Sequence, residues 1–328
     1  MKKKIPTVRE ITIVARNIQS LVWEDNTLVD WAAGGIRYGL DGSITPRAVY
    51  YPFAFDAAVS LANGKCAVIY QKFGTKGLLL RHGEIVREIN RSYYFAGSFE
   101  YPVAVGKGLN RRVLLAHCPD AYNRLEIEDF MTGERLSASL KRKPSDFFHS
   151  RLSFSGNGQY VMSAGWCWHP VDDVRLFDVG KAVADPRQLD SDGLLPACYA
   201  DESCAAFDLT GNAYVSVYGD INEEAALNEV RIFSPGSVKA VNIYPMAERL
   251  GTIYPLGSHQ VLSLYAHPKL IDLATCQTLM SWPHINSGSQ VSSIQVRTAP
   301  VSVMAFDKRG RKLAVAGPDS ISVLLFDA

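Results

Sequence analysis

The stretch GQYVMSAGWCWHPVDDVRLFDV, residues 158 to 179, sets Trp166, Cys167, Trp168 and His169 between two runs that read as β-strands. Thiol, imidazole and indole groups so close together are the ingredients of a metal site, a nucleophile or an aromatic recognition surface. His117 and His267 stand, like His169, just ahead of a proline (LLAHCPD, LYAHPK). Imidazoles from several loops ligate zinc when they converge, but no carboxylate recurs at a matching position, so neither a metal nor any other cofactor is expected. Asp172-Asp173, Asp201-Glu202 and Glu223-Glu224 are the carboxylate pairs a hydrolase would use. Glycoside or lactone chemistry needs such groups, or a metal, around one cavity. Neighbours on a strand point to opposite faces, however, and acidic pairs in loops ordinarily solvate or close Asx turns. There is no GxSxG elbow, and GKGLNRR at 106–112 lacks the phosphate-loop pattern GxxxxGK[ST].

The aromatic residues say more. VYYPFAF (49–55), RSYYFAGSFEY (91–101) and KPSDFFHSRLSF (143–154) contain Tyr50, Tyr51, Tyr93, Tyr94, Phe95, Phe147 and Phe148, with Arg91, Lys141, Arg142 and Lys143 nearby. Part of this set is expected in the core. The remainder, with Trp166, Trp168, His169, Asp201 and Glu202, has the composition of a protein-binding hot spot.

The elements that must position these residues are strands. SLVWED, CAVIYQ, RVLLAH, YVMSAG, VRLFDV, YVSVYG, VRIFSP, VLSLYA, KLAVAG and ISVLLF are short, rich in β-branched and aromatic residues, and bounded by turn formers. No amphipathic helix is evident, although PMAERL at 245–250 could form one turn. Strands ending in a small residue meet turns at Pro119, Pro170, Pro268 and Pro318, at spacings of 51, 98 and 50 residues, and the missing copy falls at Gly219-Asp220. A second series of hairpin glycines, at 158, 211, 257 and 310, keeps the same time with steps of 53, 46 and 53. Two interleaved series of one period make a repeat. Seven units fit the chain, and a period near 50 residues with three or four strands per unit is the signature of an all-β, seven-bladed β-propeller. One domain over 1–328 follows, with blades at about 17–50, 54–90, 97–140, 150–195, 203–245, 250–285 and 298–328 plus 8–16. The last unit is one strand short at Ala328 and REITIVAR is spare at the start, so the N-terminal strand is expected to complete the last blade.

The units RLSFSGNGQYVMSAGWCWHPVDDVRLFDV and VSVMAFDKRGRKLAVAGPDSISVLLFDA resemble blades of WD40 and YVTN-type propellers, with FSGNG as first hairpin and VRLFD as third strand. Phe177-Asp178 and Phe326-Asp327 stand where the WD40 pattern has Trp-Asp, and no blade shows Gly-His. The resemblance implies the fold and leaves the activity to the site.

Bulk properties narrow the function. The 328 residues are 47% hydrophobic and 20% charged, the composition of an ordinary globular chain. Lys plus Arg number 34 against 33 Asp plus Glu, so there is no overall field to hold nucleic acid or an anionic membrane, and neither is expected as a partner. The six cysteines (Cys66, Cys118, Cys167, Cys198, Cys204, Cys276) form no CxxC pair and read as reduced thiols. MKKKIPTVREITIVARN is broken by Arg9, Glu10 and Arg16 and is no signal peptide, and no apolar run approaches a membrane span of about 18 residues. The expectation is therefore a cytoplasmic, non-enzymatic propeller that binds another protein or acts as a scaffold, an immunity or inhibitor-type role being one form of this. The alternative is a propeller hydrolase or lactonase with its site in the central cavity.

Overall fold

The computed structural model describes residues 6–61, 64–108, 112–168, 171–196, 200–219, 228–237, 239–290, 292–294 and 302–327. Seven antiparallel sheets ring a common axis as a seven-bladed β-propeller. Blade one is β2 (Val22–Glu24), β3 (Thr27–Asp30), β4 (Ile36–Gly39) and β5 (Ile44–Thr45). Blade two is β6 (Ala57–Ser60), β7 (Cys66–Tyr70), β8 (Lys76–Arg81) and β9 (Glu84–Asn90). Blade three has β10 (Val103–Lys107), β11 (Val113–His117) and β12 (Glu126–Asp129), its outer edge covered where Arg135 bridges Glu128. In blade four, β13 (Phe147–Phe148) and β14 (Leu152–Phe154) are two pieces of one inner strand beside β15 (Tyr160–Cys167), followed by β16 (Val171–Asp178).

Blade five is β17 (Asp201–Phe207), β18 (Ala213–Tyr218), β19 (Asn228–Phe233) and β20 (Asn242–Pro245). Blade six is β21 (Ile253–Pro255), β22 (Gln260–Ser263), β23 (Lys269–Asp272) and β24 (Gln277–Ser281). Blade seven takes β25 (Met304–Asp307), β26 (Lys312–Ala316) and β27 (Ser320–Phe326) from the end of the chain and β1 (Val8–Val14) from its beginning. β1 lies antiparallel on β27 from Val8 opposite Phe326 to Val14 opposite Ser320. The ring thus closes by the N-terminal strand, as the strand count predicts.

Seven buried apolar clusters, one between each pair of neighbouring blades, hold the ring together. Trp23, Leu28 and Ile13 join blades one and seven, for example, and Ile127, Val161 and Phe177 join three and four. A single blade has two apolar faces and nothing of its own to cover them, so each is stable only against its neighbours. Gly158, one of the repeat glycines, has φ +73° and lies so close to blade three that a Cβ there would sit 1.5 Å from the Lys107 carbonyl oxygen.

Blade four departs most from the pattern. The helical turn occurs after it, as α1 (Val179–Ala184), because the Asp178 carboxylate caps the Lys181 amide at 2.9 Å. The 245–250 segment forms none: Pro245 ends β20, paired with Glu229. α1 and the short 3-10 turn Pro186–Asp190 replace a fourth strand and bury Val179, Ala182 and Leu189 against blades three and four. The inner strands surround an axial channel of about 770 Å³.

Candidate partner-binding face

All inner strands run the same way along the axis, so the loops between blades and the loops between second and third strands gather at one mouth of the channel. An eighth buried cluster, Phe99, Phe148 and Trp166, lies there, outside the seven inter-blade cores. Strand alternation explains its membership. Phe148 pairs across the sheet with Trp166, and Trp168, two residues on, comes to the same side, 4.8 Å from Trp166 between ring centres. Phe147 turns the other way and is buried under the Arg175 guanidinium, 4.1 Å from its ring.

The loop from β9 to β10 supplies the rest. The Arg91 guanidinium clamps this loop by donating to the carbonyls of Gly74 (2.7 Å), Ala96 (2.7 Å) and Phe99 (2.9 Å), and it stacks over Tyr101. Phe99 is thereby tucked under, 4.3 Å from Phe148, while Tyr93, Tyr94 and Phe95 are thrown outward at 84%, 50% and 47% exposure. Tyr94, Tyr122, Phe148 and Phe99 form a continuous stack with centroid steps of 4.9, 4.1 and 4.3 Å. Trp168, 51% exposed, rests edge-on against Phe148 and Phe95. The Tyr122 hydroxyl donates to Asp146 at 2.5 Å, and burial followed by that bond raises its pKa.

The described residues that follow blade six reach across the mouth to this cluster. Gln290 lines the channel, the Ser293 amide donates to Asp172 of blade four at 2.7 Å, and Ile294 bridges Phe99 and packs on the buried rings. The exposed rings therefore sit on a buried, stacked base covered partly by the chain itself.

The other candidate residues lie elsewhere. Tyr50 is exposed beneath Arg47, 4.5 Å away, and Tyr51 packs on Phe55; among the described residues no ring contact joins either to the Tyr94 cluster. Asp201 and Glu202 cap the outer edge of blade four: Asp201 accepts from the Asp172 amide at 3.0 Å and Glu202 from the Val174 amide at 2.9 Å. They supply the acceptors a fourth strand would have brought. Burial raises the Asp201 pKa, against the bond from Asp172, and Glu202 is fully buried, so its carboxylate offers no surface to a partner.

Arg142, read from the sequence as part of the basic fringe, is buried between Asp190 and Glu126. His117 is buried with Nε2 3.1 Å from Glu128, which Arg87 and Arg135 also bind. Burial alone would raise Glu128, but His117 and Arg87 hold it down at about 2. His169, Glu223-Glu224 and Cys198 lie outside the described residues. Among those described, no three His, Cys, Asp or Glu side chains gather as a metal-ligand cluster, and no helix is long and apolar enough to cross a membrane.

Sequence reasoning missed Phe99 and Tyr122 as site residues. A signal for Tyr122 was present, since it follows Pro119 in the loop equivalent to the one that carries Trp168. No protein-family model matches the chain, and no curated protein matches it.

Proposed function

We propose that this propeller is a non-enzymatic, cytoplasmic partner-binding protein with divergent WD40- or YVTN-like blades, and that its partner is another protein docking on the aromatic face of blades two to four. The observation that carries the reading is the pairing of exposed Tyr93, Tyr94, Phe95 and Trp168 with the buried stack beneath them. Rings fixed in place from below lose little conformational freedom on binding, and aromatic anchors on such a base dominate interface energies. An immunity or inhibitor-type role is one form this takes. The test is a pull-down from native cells, repeated with Trp168→Ala and Tyr94→Ala, with melting measured on the same variants. Each substitution should weaken capture more than tenfold, the effect of about 2 kcal/mol at one anchor, while the melting temperature stays within a few degrees. Stability lost with affinity retained in the folded fraction would instead make these rings part of the core.

A further inference from the structure

We propose that the axial channel binds a small organic anion, a di- or tricarboxylate or a phosphate ester, at the mouth opposite the aromatic face, through Lys107, Lys308 and Arg309. Lys107 ends inner strand β10, and Lys308 and Arg309 follow inner strand β25, so the common strand direction delivers them to the same mouth; all three line the channel.

The carboxylates near them are already engaged. Asp307 accepts from the Lys312 ammonium at 3.2 Å and from the Arg309 amide at 3.0 Å, while Asp208 folds back on Thr210 and Asn212. None of the side chains of Lys107, Lys308 and Arg309 forms an ion pair among the described residues. Lys308 is half-buried and its ammonium reaches past the short inner strand of blade six to the Phe207 carbonyl of blade five. A desolvated ammonium satisfied by a neutral carbonyl is costly, and a bound anion removes that cost. Burial pushes this amine down to about 8, only partly offset by Asp208.

Further along the wall, Arg151 donates through Nε to Ala164 and through Nη1 to Ser203, and leaves Nη2 buried with no hydrogen-bond partner among the described residues. The other lysine of the channel, Lys72, faces Glu100 at 3.5 Å. Among the described residues, then, four cations of the wall, Lys107, Arg151, Lys308 and Arg309, have no carboxylate in ion-pair contact. The volume of about 770 Å³ lies within the range of small-molecule sites.

The experiment is calorimetric titration of the full chain with citrate, and separately with pyrophosphate, against chloride at matched ionic strength. Saturable binding is expected at about pH 7. At about pH 9.5, where the free Lys308 amine is neutral, it should weaken roughly tenfold or more. Between these values binding should take up protons, because the anion raises the lysine pKa. Lys308→Met and the exposed Arg309→Ala should each reduce affinity by about tenfold or more without lowering the unliganded melting temperature, so loss of binding is not loss of fold. Titrations no stronger than chloride, or affinities unchanged in both variants, would overturn the proposal. Neither result bears on the aromatic face.

Discussion

Deleting residues 1 to 16 removes the strand that closes the ring, and its cost can be worked from the pairing. The ladder from Val8 to Val14 gains about 1 kcal/mol per hydrogen bond, much of which is offset by ordering the backbone at about 1–2 kcal/mol per residue. The net stabilisation therefore rests on side chains, above all Ile13, which is 1% exposed against Ala305, Ala314, Ile321 and Val323. Ile13→Ala alone should cost about 3 kcal/mol, a fall of roughly 4 °C in melting temperature for a chain of this size. The deletion adds a second effect. It bares Ser320–Phe326, SISVLLF, an uncharged β-branched edge that templates pairing with other chains. Differential scanning fluorimetry and size-exclusion chromatography of both variants make the assay: Ile13→Ala stays monomeric and melts lower, and the deletion aggregates. A deletion variant that stays monomeric and melts within a degree or two of the full chain would refute the reasoning.

Two further outcomes follow from the geometry. Glu128 has its folded-state pKa lowered from 4.5 to about 2, so its ion pairs contribute stability above about pH 4.5 that is lost as pH falls through about 2. Their contribution is at most about 3 kcal/mol, and denaturant melts of Glu128→Gln should lie below the parent at neutral pH and converge with it near pH 2. Gly158→Ala meets both a positive φ and the Lys107 carbonyl; it should cost about 2 kcal/mol or more in urea unfolding, whereas Gly211→Ala, with open space around its Cβ, should cost less.

The propeller was legible in the sequence because its units are local. Hairpin glycines such as Gly158 and Gly211 and the alternation of VRLFDV or YVSVYG act over a few residues, and counting strands leaves REITIVAR to complete the last blade. The site was legible in part for the same reason. Alternation puts Trp166 and Trp168 on one side of β15, and sequence crowding marks the loop carrying Tyr93 and Tyr94. Which side is covered is a different matter. Phe147 and Phe148 are adjacent and identical, yet one lies under Arg175 and the other anchors the exposed rings, and nothing within the strand distinguishes them. Glu202 looks like a surface carboxylate until β16, from the preceding blade, needs an acceptor for its free edge. The contact that holds the residues following blade six across the mouth, Ser293 to Asp172, spans 121 residues. Backbone conformation follows from short-range sterics and turn chemistry, which the sequence determines by itself; burial, and with it the role of each polar or aromatic side chain, depends on partners brought together by ring closure, which only the tertiary structure decides.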